Sequence, residues 1–165
     1  MNALRLLVVS MLLLLAGCGF HLRGEVSLSA ELQRIHIKGV SQYSTLGTAL
    51  KRSLRSQGVE IVDSPTAASA ILKISEPDYS RRLLSVNAVS GKVNEYEIQY
   101  SLNVTLLDRG GKVLLKQQQL RQLRDFTFDR DRVLGKGNEE ARLRTDMERD
   151  LAAQVLRRLQ AYRRG

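Results

Sequence analysis

One stretch limits the fold more than any other. In "EYEIQYSLNVTLLD", residues 95–108, the side chains of Tyr96, Ile98, Tyr100, Leu102, Val104 and Leu106 fall on one side of an extended backbone. Glu97, Gln99, Ser101, Asn103 and Thr105 fall on the other. An apolar period of two held this long specifies a strand with one buried and one wet face, which belongs in an antiparallel sheet. "DRGG", 108–111, reads as the turn of a hairpin. "KVLLKQQQLRQLRDFTF" then returns as a second long strand. Its apolar phase slips between Val113/Leu115 and Phe126/Phe128, so a bulge is expected within Gln117–Leu123.

A sheet with one apolar face needs a covering layer, and two segments fit that role. "STLGTALKRSLRSQG" has Ser44 or Thr45 as a helix cap, Leu46, Ala49, Leu50 and Leu54 as a stripe, and Gly58 as a stop. Its outer side holds Lys51, Arg52 and Arg55, and no acid occurs from 41 to 59. The last helix is expected to start at Asn138, with Glu139 and Glu140 at the positive end of its dipole. Leu143, Met147, Leu151, Val155, Leu159 and Tyr162 form its stripe, and Arg157, Arg158, Arg163 and Arg164 complement its negative end. "QRIHIKGV" (33–40) reads as the first strand and "SAILKIS" (69–75) as the second. Pro77 disturbs pairing, and "SRRLLSVNAV" continues the second strand raggedly. "VEIV" (59–62) is a candidate short extra strand. The expected fold is α+β: a two-layer α/β sandwich in the order β-α-β-β-β-α, with two helices on one face of a four-stranded, mostly antiparallel sheet.

Residues 1–17 have a different character. Arg5 is their one charge, followed by an apolar run of about ten residues, the form of a secretory signal. It is shorter than the roughly 18–20 apolar residues that span a bilayer. "LAGC", Leu15 to Cys18, resembles a bacterial lipobox, and Cys18 is the only cysteine, so no internal disulfide competes for it. The resemblance implies cleavage before Cys18, with S-diacylglycerol and an N-acyl chain added there. At ~0.8 kcal/mol per buried CH2, three acyl chains make a durable anchor. Gly19, in place of Asp, favours the outer membrane by analogy with lipoprotein sorting. The domain plan is a signal peptide at 1–17, a lipidated tether at 18–30 and one domain at 31–165.

The full chain has 26 Lys and Arg against 17 acids, a net charge of +9. Loss of Arg5 leaves 25 against 17, or +8. A positive surface in the periplasm suits anionic lipid or lipopolysaccharide phosphate, with no role for nucleic acid. Motifs for chemistry are missing: no G-x-S-x-G, H-E-x-x-H or C-x-x-C occurs, and "GKG" at 135–137 lacks the rest of a phosphate loop. His21 and His36 are too few for the three protein ligands of a catalytic zinc. Asp129 and Asp131 lie in a charged loop with nothing apolar nearby to raise a pKa. The reading is a non-enzyme without metal or cofactor.

"GCGFHLRG" after the lipobox, the element order, "NEYEIQYSLNVTLLD" and "VLGKGNEEARLRTDMERDLAAQVLRRL" together resemble the LptE family of lipopolysaccharide-assembly lipoproteins. The likeness covers nearly the whole mature chain. It implies an outer-membrane protein, on the periplasmic side, that plugs a β-barrel partner, LptD, one to one. It also implies help in assembling that barrel and binding of lipopolysaccharide in transit. The polar row Glu97, Gln99, Ser101, Asn103 and Thr105 then becomes the barrel-facing surface. Lys136 matches the family's loop lysine. The family's other basic position falls near Val89, so Lys92, Arg81 and Arg82 are the candidate substitutes. The competing reading is a free-standing periplasmic lipoprotein that binds anionic lipid or a cell-wall polymer through its basic surface.

Overall fold

The alternating segment forms the central strand of the sheet. The computed structural model describes residues 28–86, 93–127 and 136–162. Its longest strand, Val93–Asp108, buries Ile98, Tyr100, Leu102, Val104 and Leu106 to 3% exposure or less. In chain order the strands are β1 (Arg34–Lys38), β2 (Glu60–Ile61), β3 (Ala70–Ile74), β4 (Asp78–Val86), β5 (Val93–Asp108) and β6 (Val113–Thr127). The helices are α1 (Thr45–Arg55) and α2 (Lys136–Ala161).

One edge of β5 is taken by β6, which among the described residues pairs with β5 alone. Its other edge is shared end to end by β3 and β4, both antiparallel to it. β1 lies parallel to β3, and β2 parallel to β1 at the far edge. Among the described residues the sheet therefore has six strands rather than four; it is mostly antiparallel as expected, with β1–β2 and β1–β3 as parallel pairs. The parallel pairs arise because α1 carries the chain back between β1 and its neighbours, the usual crossover for parallel strands. The extra strands have local causes. "VEIV" contributes β2, and the second expected strand is split into β3 and β4 around Pro77.

That split is a one-residue slip. Ile74 faces Val104 and Asp78 faces Ser101, so four steps on one strand meet three on the other. Pro77 has no N–H to offer a ladder. Ser75 keeps the break satisfied: its N–H donates to the Asn103 carbonyl at 2.9 Å, and its hydroxyl accepts from the Asn103 N–H at 2.9 Å. The raggedness expected of β4 is present as register shifts between Leu83 and Val86.

β6 changes phase earlier than expected. Leu107 faces Val113, Leu106 faces Leu115 and Val104 faces Gln118, so the extra residues lie between 113 and 118. From Gln118 to Thr127 the register is unbroken, which leaves most of the Gln117–Leu123 window regular. The reason is Leu120, 2% exposed, which already follows the new phase. The slip must precede it, in a polar run whose residue types mark no phase.

Both helices cover the apolar side of the sheet. In α1, Leu46, Leu50 and Leu54 are 1% exposed. The Ser44 hydroxyl caps the helix by accepting from the Gly47 N–H at 3.1 Å. At the other end Gly58, with φ of +77°, donates to Arg55 while Val59 donates to Leu54, the paired bonds of a Schellman ending. In α2, Met147, Leu151, Val155 and Leu159 are fully buried, and Leu143 and Tyr162 pack beside them. α2 starts at Lys136, two residues before the expected cap Asn138. Gly137 is a poor helix former, so residue type alone marks the later position.

Gly47 has a steric reason to lack a side chain. A Cβ there would stand 2.1 Å from the Ser41 carbonyl oxygen, where the preceding loop folds against the first turn of α1. Gly47→Ala improves helix propensity by about 1 kcal/mol, yet the overpacking costs ~1–3 kcal/mol. The expected outcome is a lower denaturant midpoint with an unchanged m-value; a raised midpoint would show that the loop yields without cost.

Candidate binding surfaces

Among the described residues no helix covers the polar side of β5. Across β4, β5 and β6 it presents three rows: Arg82–Glu97–Asp125, Ser80–Gln99–Leu123 and Asp78–Ser101–Arg121. Asn103 and Thr105 continue the β5 column. Arg82 reaches Glu97 at 3.1 Å; the arginine side chain is 72% exposed and the carboxylate 20%. Gln99, Asn103 and Thr105 are half-buried, whereas Ser101 is only 3% exposed. The surface is a mixture of amides, hydroxyls and charges, with Leu123 as a partly exposed apolar member.

On the helix side a polar cluster ties α2 to β4 and β5. The buried Tyr100 hydroxyl donates to Glu148 at 2.9 Å, and Arg144 Nε donates to the same carboxylate oxygen at 3.3 Å. The Arg144 guanidinium lies 5.4 Å from the Tyr79 ring centre and 5.7 Å from that of Tyr100. The two rings meet edge to face at 6.1 Å. Tyr79 donates to Glu140, which also pairs with Arg81 at 3.5 Å, and Arg81 in turn lies 5.6 Å from the Tyr96 ring centre. Glu148 is 8% exposed and would be costly if unpaired. Here a tyrosine and an arginine satisfy it.

The cluster shifts its own ionisation. Burial, then the hydrogen bond to Glu140, pushes the Tyr79 hydroxyl up to about 12. Burial, then the bond to Glu148, raises Tyr100 as well. The Arg144 guanidinium is held above its usual value, first by its bond to Tyr100. For Tyr79 the folded value exceeds the unfolded one, so its contribution is complete below pH 10 and is lost as pH rises from 10 to 12. Tyr79→Phe should flatten the fall in stability over that window, read by denaturation at stepped pH; an unaltered slope would exclude Tyr79 as a source.

The structure separates the expected basic residues. Arg81 and Arg82 point to opposite faces, the first to α2 and the second to the open face. Lys136 opens α2 rather than sitting in the preceding loop. Its side chain, Lys92 and Cys18 lie outside the described residues. The strands flanking segments 87–92 and 128–135 do end together, because Val86 pairs with Val93 and Glu95 with Thr127. His36 sits off the core, its Nδ1 3.1 Å from the Val62 carbonyl. Sequence reasoning missed Tyr79, Arg144 and Glu148 as a unit. A usable signal was Arg144 and Glu148 four apart beside the apolar stripe. Among the described residues no group of three His, Cys, Asp or Glu could hold a metal, and no helix is long and apolar enough to cross a membrane.

Residues 32–159 match the family described as LptE: Lipopolysaccharide-assembly. This chain belongs to the LptE family. The LPS-assembly lipoprotein LptE of Photorhabdus laumondii is 28% identical over 156 residues, covering 94% of this chain and 84% of that protein. The protein of the same name from Pectobacterium atrosepticum is 30% identical over 148 residues, covering 89% and 79%. The solution structure of lipoprotein B from Nitrosomonas europaea superposes with a TM-score of 0.73 at 31% identity, over 87% of this chain and 92% of that one. Membership in LptE agrees with the expected non-enzymatic, cofactor-free outer-membrane lipoprotein and with the α+β class. It gives the chain a role in lipopolysaccharide assembly.

Proposed function

We propose that this chain is anchored through an acylated Cys18, plugs an LptD-like β-barrel one to one and aids its assembly, and contacts lipopolysaccharide on its way to the outer leaflet. The observation that carries the plug reading is the helix-free face of the sheet. A barrel lumen is wet and polar, and a plug for it needs amides, hydroxyls and mixed charges instead of an apolar patch. Glu97, Gln99, Asn103 and Thr105 offer that chemistry at partial exposure. Ser101 is too buried to share in the contact.

For lipopolysaccharide, the chemistry needed is cationic groups for phosphate beside apolar groups for acyl chains. Arg82, Leu83 and Leu84 are consecutive and exposed near the end of β4, towards segments 87–92 and 128–135. Lys136, at the start of α2, and Lys92 add charge by sequence. Arg81 is better suited to holding Glu140, and with it the first turns of α2.

Mild detergent extraction should yield a barrel-sized companion at equal stoichiometry; a lone lipoprotein would favour the free-standing reading. A photocrosslinker at Gln99 should capture that companion in cells, and one at buried Ser101 should not. Lys136→Glu should weaken lipopolysaccharide binding by about tenfold while the companion still copurifies, since one exposed charged contact contributes on the order of 1 kcal/mol. Unchanged binding would remove Lys136 from the site.

A further inference from the structure

The topology gathers one end of the domain around the point where the tether enters. Leu28 packs on the core, Leu32 is fully buried, and the Ser69 hydroxyl donates to the Glu31 carbonyl at 2.7 Å. Ile35 faces Ala70, Ala70 faces Asp108 and Leu107 faces Val113, so the β5–β6 turn lies at that same end. Both helices also finish there. Tyr162 donates to Glu31 at 3.4 Å, and Gln160 at the end of α2 bonds Gln57 just past α1 at 3.0 Å.

Six exposed cations share this end: Arg52 and Arg55 on α1, Arg109 and Lys112 on the hairpin turn, and Arg157 and Arg158 on α2. None holds an ion pair among the described residues. The ion pairs Arg81–Glu140, Arg82–Glu97, Arg124–Asp150, Arg144–Glu148 and Arg149–Asp146 all involve β4, β6 or the body of α2. The acids at the tether end are engaged: Glu60 with Arg34, Glu31 with Tyr162, and Asp108 with the Lys112 N–H. Helix dipoles account for cations in the last turns of α1 and α2. They do not account for Arg109 and Lys112, which sit on a turn.

We propose that this end is a membrane-facing surface whose unpaired cations rest on the phosphates of an anionic bilayer. The occupant is chosen by chain length and charge. Ten residue steps lead from Cys18 to Leu28, and ten steps reach at most about 35 Å. An anchor at Cys18 therefore keeps this end, rather than the outer end of β4, nearest the lipid. A second, electrostatic contact fixes the orientation of a domain that the anchor alone leaves free to swivel. The inference rests on the acylated-anchor reading for how the chain reaches the bilayer.

The test uses the chain from residue 18 with Cys18→Ser, which keeps every described element. It is floated with vesicles of phosphatidylcholine alone or with phosphatidylglycerol added. Binding should need phosphatidylglycerol and weaken at 0.5 M salt. Arg55→Gln, Arg109→Gln and Arg157→Gln together should lower partitioning by about 100-fold. The matched set Lys38→Gln, Lys73→Gln and Arg142→Gln removes equal charge elsewhere and should lower it less than about fivefold. Equal losses in the two sets, no loss in either, or no preference for phosphatidylglycerol would each overturn the proposal. Thermal melts confirm that both sets fold. Mass spectrometry of the native chain reports acylation separately: an unacylated Cys18 defeats the anchor, while the flotation result still stands or falls on the cations.

Discussion

The apolar side of β5 is the constraint on which the rest depends. Its alternate residues from Ile98 to Leu106 are nearly inaccessible, and both helices and every other long strand are arranged to keep them so. Removing that area from water is the main favourable term, at ~25 cal/mol per Å2. The same alternation forces the intervening residues to the other side, where no described helix covers them. The burial that folds the chain thus also creates the polar face of the sheet.

Much of this architecture was legible because it depends on local periodicity. The stripe of α2 from Met147 to Leu159, the cap at Ser44 and the alternation in β5 each lie within one segment, and each appears where expected. Sheet order was not legible. The parallel pairing of Ile35 with Ala70 joins residues far apart in sequence, and no local pattern encodes it. The division at Ser75–Pro77 was half visible: the proline signalled trouble, but the serine hydroxyl replacing a ladder acceptor depends on the register with Asn103.

The surfaces were legible in the same uneven way. Facing within β5 followed from parity, but the burial of Ser101 did not, since flanking strands decide it. Two adjacent arginines, 81 and 82, look alike in sequence. One helps hold α2 in place and the other lies on the open face, because neighbours on a strand point in opposite directions. The Tyr100–Glu148 contact spans 48 residues and exists only once α2 has docked.

The sheet is lopsided: among the described residues one flank ends in β2, two residues long, and β4, nine residues long, and the other in β6, fifteen residues long. A lengthy outer strand offers unspent backbone donors and acceptors to any passing chain. Arg121, Arg124 and Asp125 and the kinks near Leu114 partly blunt that stickiness. The uncharged glutamines 117–119 do not. A molecule built this way is least prone to clump when its β6 flank is shielded soon after synthesis, which makes cover over that edge a matter of solubility.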